Sequence, residues 1–196
     1  MRTLFVDFDG TICHDRFWRS LPKEENALVQ NELFIKSEEL VADWMRGNYT
    51  SEEINVFVSN ETNLSYNQIW NVFVDDCKNM YVDPEILEFV KKLREKFHLV
   101  LITGNMDCFD RFTVPTLRLE EYFDVVVNSY TEGCLKTDKN GETFTKYLKG
   151  SIEDSLLIED SLTSCTTFTD LGGTALQVTP TNKTLTYLRD ILEEKF

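Results

Sequence analysis

No apolar run in this chain approaches the ~20 residues that a membrane span requires. There is also no low-complexity segment and no internal repeat among its 196 residues. No CxxC pair occurs. The five cysteines (Cys13, Cys77, Cys108, Cys134 and Cys165) are scattered and odd in number, which argues against a disulfide framework or a zinc site and for a reducing, cytoplasmic setting. The N-terminus enters strand-like sequence at once, so no signal peptide is expected. Basic residues are scarce: 20 Lys and Arg stand against 34 Asp and Glu, a net charge of −14. That balance disfavours nucleic acid and anionic membrane as partners. An anionic substrate gains nothing from such a field, so its site needs local positive potential.

What the chain does have is concentrated near its start. Residues 4–12 read Leu-Phe-Val-Asp-Phe-Asp-Gly-Thr-Ile. An apolar run ends in two carboxylates one residue apart, then a glycine, then a hydroxyl. Asp is depleted in strands and costly to bury unpaired, so Asp7 and Asp9 are expected where the strand ends. Period-two alternation puts both on one face of an extended chain, with Phe8 turned the other way. Two converging oxygen donors suit a hard cation such as Mg²⁺. Gly10 allows a sharp turn or a close approach to a ligand.

Five short apolar runs read as strands: Leu4–Phe8, Leu99–Ile102, Val125–Val127, Leu156–Ile158 and Ala175–Val178. Helical segments lie between the later ones. Asp83-Pro84-Glu85 makes a helix start, and Ile86, Leu87, Phe89, Val90, Leu93 and Phe97 follow on one face. Further helices are expected after Asn105, near Glu142, after Ser161, and over Leu185 to Leu192. Strands alternating with helices predict an α/β fold, with a mostly parallel sheet covered on both faces. Residues 13–82 interrupt that pattern without a convincing strand. Their apolar residues recur at helical spacing, and Thr50 with Glu53, and Ser65 with Gln68, fit capping boxes. The expected organisation is therefore a core of residues 1–12 and 83–196, with an all-helical bundle inserted at 13–82.

In an open parallel sheet, ligands bind beyond the carboxyl ends of the strands. Asp7 and Asp9 lie at the first such end, Thr103, Gly104 and Asn105 at the second, and Glu159, Asp160 and Ser161 at the fourth. Lys136 and Lys139 lie in the loop after the third. Carboxylates, a hydroxyl, backbone N–H groups and an amine on one rim suit phosphoryl transfer.

The motifs resemble those of the haloacid dehalogenase-like hydrolase superfamily. Asp7-Phe8-Asp9-Gly10-Thr11 resembles its first motif and Leu101-Ile102-Thr103-Gly104-Asn105 its second. Ile158-Glu159-Asp160-Ser161 resembles the fourth, in the form seen in the β-phosphoglucomutase-like branch, and the insertion resembles that family's helical cap. The resemblance implies a Rossmann-like three-layer core. It also implies that Asp7 is nucleophile and Mg²⁺ ligand, and that Asp9 is general acid/base and a metal ligand through its carbonyl. Thr103 would hold the phosphoryl group, with the Gly104 and Asn105 backbone. Asp160 would complete the metal site, with Glu159 direct or outer-shell.

The third motif departs from the family's usual Lys-Pro-x-Pro. Lys136-Thr137-Asp138 resembles it without proline, and Lys139 resembles the form in which lysine directly precedes a helix. Lys139 is the expected phosphate-binding and catalytic lysine, because an amine at a helix start shares an anion site with free N–H groups. The functions implied are a Mg²⁺-dependent phosphatase acting on a small phosphorylated metabolite, a phosphomutase, or a silent phosphate-binding protein. Asp9 argues against a dehalogenase, which needs neither its acid/base chemistry nor a metal. Arg16, Trp18 and Arg19 are candidates to face the cleft and recognise a leaving group. Oligomeric state is open.

Overall fold

The computed structural model describes residues 1–195; Phe196, the last residue of the expected core segment, lies outside them. Five parallel strands form one sheet: β1 (Arg2–Val6), β2 (Phe97–Thr103), β3 (Val125–Asn128), β4 (Leu156–Glu159) and β5 (Thr174–Gln177). Their order is β3-β2-β1-β4-β5. β1 pairs on one side with β2 and on the other with β4. The chain therefore moves outward from β1 in one direction, then returns and continues in the other. Such a reversal opens a crevice at the carboxyl ends of the central strands.

β1 from Leu4 to Val6 and β2 from Leu99 to Ile102 are apolar runs, as expected of strands covered on both faces. Alternation then sorts their side chains. Leu4, Val6, Leu99 and Leu101 join one core cluster, while Phe5, Val100 and Ile102 join another. The first cluster is closed by α5 (Pro84–Leu93) and α10 (Thr184–Leu192). After β2 come two short helices, α6 (Val114–Leu117) and α7 (Ser129–Glu132), and the second cluster is closed by α8 (Glu142–Lys146) and α9 (Leu162–Asp170), through Phe144 and Phe168. Those rings meet Phe5 edge-on at 5.5 and 5.6 Å, a geometry worth about 0.5–1.5 kcal/mol per pair beyond burial. Asp83 caps α5 through the Glu85 N–H, with Pro84 in the first turn, and Ser161 caps α9 through the Ser164 N–H.

Between β1 and α5 the chain forms α1 (Lys23–Val29), a wide helical turn over Gln30–Ile35, α2 (Glu38–Met45), α3 (Ser51–Thr62) and α4 (Tyr66–Lys78). These helices enclose a third apolar cluster with Trp18, Trp44 and Phe73 at its centre, and Met106 and Cys108 of the core segment reach into it. Trp18 is fully buried there rather than facing the cleft. The segment leaves and returns side by side, since Cys13 bridges Val82. The Thr50–Glu53 capping box forms in full. The one expected at Ser65 does not: Ser65 makes no capping bond, and the Gln68 amide donates instead to Glu25 of α1 at 2.8 Å. Among the described residues, no helix is long and apolar enough to cross a membrane.

Candidate active site

Asp7 follows β1 directly and Glu159 ends β4. The Asp7 N–H donates to the Ile158 carbonyl at 3.0 Å, so the pairing of β1 with β4 brings both carboxylates to one point. The Asp160 carboxylate joins them, and the three residues offer ligand oxygens within 4.8 Å of one another. Gly10 makes room for this. It adopts φ +79°, and a Cβ there would overlap the Asp160 carboxylate. An all-oxygen set of three carboxylates fits a hard divalent cation such as Mg²⁺. The Asp9 side chain is not part of that group. It turns to the Asn105 amide, which donates to it at 2.6 Å, and lies 3.9 Å from the Arg16 guanidinium.

Lys136 stands at the centre. It is buried, its Nζ donates to Asp7 Oδ1 at 2.5 Å, and it pairs with Glu159. Burial opposes its charge, but the two carboxylates outweigh burial and hold its pKa above the usual lysine value. Glu159 is pushed up to about 8, by burial first and by the Asp7 charge second, although Lys136 pulls it down. Asp7 is also raised by burial against the pull of Lys136. One ammonium thus lies between two buried acids, with the Asp160 carboxylate beside them. Asp9 is raised to about 7 by burial and by Asp7, with Arg16 opposing.

Lys139, the expected lysine, is elsewhere. It and Asn140 adopt left-handed φ values of +50° and +57°, which carry Lys139 outward; it is 69% exposed, with Nζ 3.9 Å from Glu142. α8 begins only at Glu142, after Gly141, so Lys139 does not stand at the helix start. The structure therefore replaces Lys139 with Lys136 as the lysine at the site.

A second correction concerns Asn105. Its backbone N–H is taken by Ser129 Oγ at 3.0 Å, and Ser129 Oγ donates in turn to the Asn105 carbonyl. That N–H is not available to a phosphoryl oxygen, and Asn105 instead orients Asp9. Thr103 ends β2 fully buried, and its hydroxyl has no partner among the described residues. A buried hydroxyl without a partner is costly unless a ligand completes it. Gly104 lines the cavity of about 260 Å³ that also holds Asp7, Lys136, Glu159 and Asp160.

Sequence reasoning also passed over what holds these groups. Thr11 donates to Asp7 Oδ2 at 3.2 Å. Met45, at the end of α2, and Leu135 line the same cavity, so the helical insertion reaches over the site. Where the helical insertion meets the chain after β2, buried Asp107 accepts from Trp44, from Ser51 and from Arg111. Burial would raise its pKa, and those hydrogen bonds outweigh burial and keep it low. Trp44 and Ser51 are far from Asp107 in sequence and carry no motif.

The switch point of this parallel sheet thus presents three acids and a buried lysine on one rim. The haloacid dehalogenase-like hydrolase family model matches residues 1–165, and the chain belongs to that family. Solved structures share the fold. A HAD family enzyme from Bacteroides thetaiotaomicron superposes with a TM-score of 0.75 at 18% identity, over 92% of this chain and 95% of that one. The same enzyme has been crystallised with magnesium and inorganic phosphate. A predicted HAD-like hydrolase from Porphyromonas gingivalis gives 0.72 at 19% identity, over 98% of both chains. A 2-haloacid dehalogenase from Pseudomonas syringae gives 0.67 at 15% identity, over the full length of each. The sequence matches none of the curated proteins.

Proposed function

We propose that this hydrolase is a Mg²⁺-dependent phosphatase that cleaves a small phosphorylated metabolite through an aspartyl-phosphate. The observation that carries the reading is the Asp7–Lys136–Glu159 cluster beside Asp160, in which carboxylates outnumber the cation. Magnesium, held by Asp7, Asp160 and Glu159, would offset the charge that otherwise keeps an anionic ester from an anionic nucleophile.

In this reading a carboxyl oxygen of Asp7 attacks phosphorus, and the bond from phosphorus to the ester oxygen breaks. Asp9 gives its proton to that departing oxygen. A water then attacks the phosphorus of the aspartyl-phosphate, Asp9 takes its proton, and Asp7 is released with inorganic phosphate. A group poised near pH 7 suits both proton transfers, and Asn105 aims it. The Thr103 hydroxyl, the Gly104 N–H and the Lys136 ammonium would hold the phosphoryl oxygens. The five cysteines stand as free thiols, in keeping with a cytoplasmic setting.

Relatives of this fold include haloacid dehalogenases. Asp9 and the Glu159–Asp160 pair favour phosphorus over carbon–halogen chemistry, since displacement of halide needs neither a proton donor at Asp9 nor a divalent ion. The test compares 4-nitrophenyl phosphate with 2-chloropropionate, each with Mg²⁺ and with EDTA. Phosphate release that EDTA abolishes supports the reading, and release of chloride in EDTA overturns it. Formation of a sugar bisphosphate instead of free phosphate from a sugar phosphate would make the enzyme a mutase.

A further inference from the structure

A second cavity, of about 340 Å³, shares Asp9 and Gly104 with the first and runs beneath the helical insertion. Phe17, Phe34 and Met106 wall it with two rings and a thioether. Its polar groups beyond Asp9 are Arg16 and Gln30. The Gln30 amide nitrogen is buried there and has no partner among the described residues.

Arg16 is the cation of this cavity. Its Nη1 donates to the Asp15 carbonyl at 3.2 Å and lies 3.9 Å from Asp9, while its Nη2 and Nε donate to nothing among the described residues. Arg19, three residues on, is already occupied by the carbonyls of Asp76 and Asn79. In a chain of net charge −14, a cavity lined by a guanidinium with open donors and by an unpartnered amide is a local exception. The two present donors, and a planar carboxylate takes two N–H donors at once. The volume sits at the small end of the ~300–1,000 Å³ usual for ligand pockets.

We propose that this cavity receives the alcohol half of the phosphate ester, and that this alcohol is a small hydroxy acid. Its carboxylate is held by Arg16 and Gln30, and its hydrocarbon part lies between Phe17 and Phe34. The inference rests on the phosphatase reading and narrows its substrate.

The test uses the full chain with Mg²⁺ and two near-isosteric esters, 4-carboxyphenyl phosphate and 4-carbamoylphenyl phosphate. The expected kcat/KM is higher for the carboxylate by about tenfold, the worth of a charged hydrogen bond. Arg16→Gln brings the ratio close to one, and Gln30→Leu lowers it. Calorimetry with 4-hydroxybenzoate and 4-hydroxybenzamide reads the same preference without turnover. If both esters release phosphate equally and both alcohols bind equally, the proposal is wrong and the phosphatase reading stands. Preference that survives Arg16→Gln also overturns it. If neither ester releases phosphate, the phosphatase reading fails, and the proposed substrate class fails with it.

Discussion

Arg46, the residue after α2, forks onto Asp138 with Nε and Nη2 at 2.9 and 3.0 Å from its two carboxylate oxygens. Asp138 also accepts the Leu135 N–H at 2.9 Å. That loop encloses Lys136 and Thr137. The helical insertion therefore grips the loop that presents the active-site ammonium, through the bidentate geometry that Arg alone supplies.

Breaking the fork should loosen Lys136 without removing it. Arg46→Ala is expected to lower kcat on 4-nitrophenyl phosphate about tenfold or more, since a small misplacement at a reacting centre is costly. Arg46→Lys should recover little, because a point charge does not reproduce the fork. Steady-state kinetics on both variants, with thermal melts to confirm folding, checks this.

The two lysines should separate sharply. Lys139→Met replaces an exposed side chain and should stay close to wild type in rate and melting temperature. Lys136→Met leaves Asp7 and Glu159 buried without their cation, which costs about 3–5 kcal/mol in comparable buried pairs, and turnover should be lost. Parallel assays at a temperature where both variants are folded decide it. Loss of turnover in Lys139→Met, with turnover kept in Lys136→Met, would return the role to Lys139.

Gly10→Ala should act on the metal. The added Cβ collides with the Asp160 carboxylate, and φ of +79° is a conformation that alanine adopts only with strain. The expected outcome is a higher Mg²⁺ concentration for half-maximal rate, read from a magnesium titration, together with a lower melting temperature.

Glu159 gives the metal-free protein a pH dependence of stability. Its pKa rises from 4.5 to about 8 on folding. The folded state thus holds a proton that the unfolded chain has released between those values. Its contribution to stability is complete below about pH 4.5 and is lost as pH climbs toward 8. Melting temperatures in EDTA should carry this decline, Glu159→Gln should flatten it, and added Mg²⁺ should offset it.

The rim itself was legible because its pieces are local. The five strands are short apolar runs ending in polar residues, and the Asp7–Asp9 and Glu159–Asp160 pairs close two of them. Lys136 and Lys139 could not be ranked from spacing, because the outcome turned on left-handed backbone at two consecutive residues. Helix proximity favoured Lys139, while a single Coulombic environment of two buried acids favours Lys136. Asn105 was placed correctly on the rim but given the wrong atom, since its N–H is claimed by Ser129, 24 residues later. The same limit hid the Arg46–Asp138 fork and the Asp107 cluster, whose partners meet only after the insertion packs. Capping boxes divided by context: Thr50 and Glu53 satisfy each other, whereas Gln68 finds Glu25 instead.

The most direct test concerns the bond from Asp7 to phosphorus. Asp9→Asn, given Mg²⁺ and 4-nitrophenyl phosphate, has a leaving group that needs no proton but lacks the base for the hydrolytic water. A rapid burst of nitrophenolate, equal to the enzyme present, should be followed by slow turnover. The acid-quenched protein should carry a phosphoryl group on the peptide containing Asp7. Steady release without a burst, and no phosphoryl group on that peptide, would contradict nucleophilic attack by Asp7.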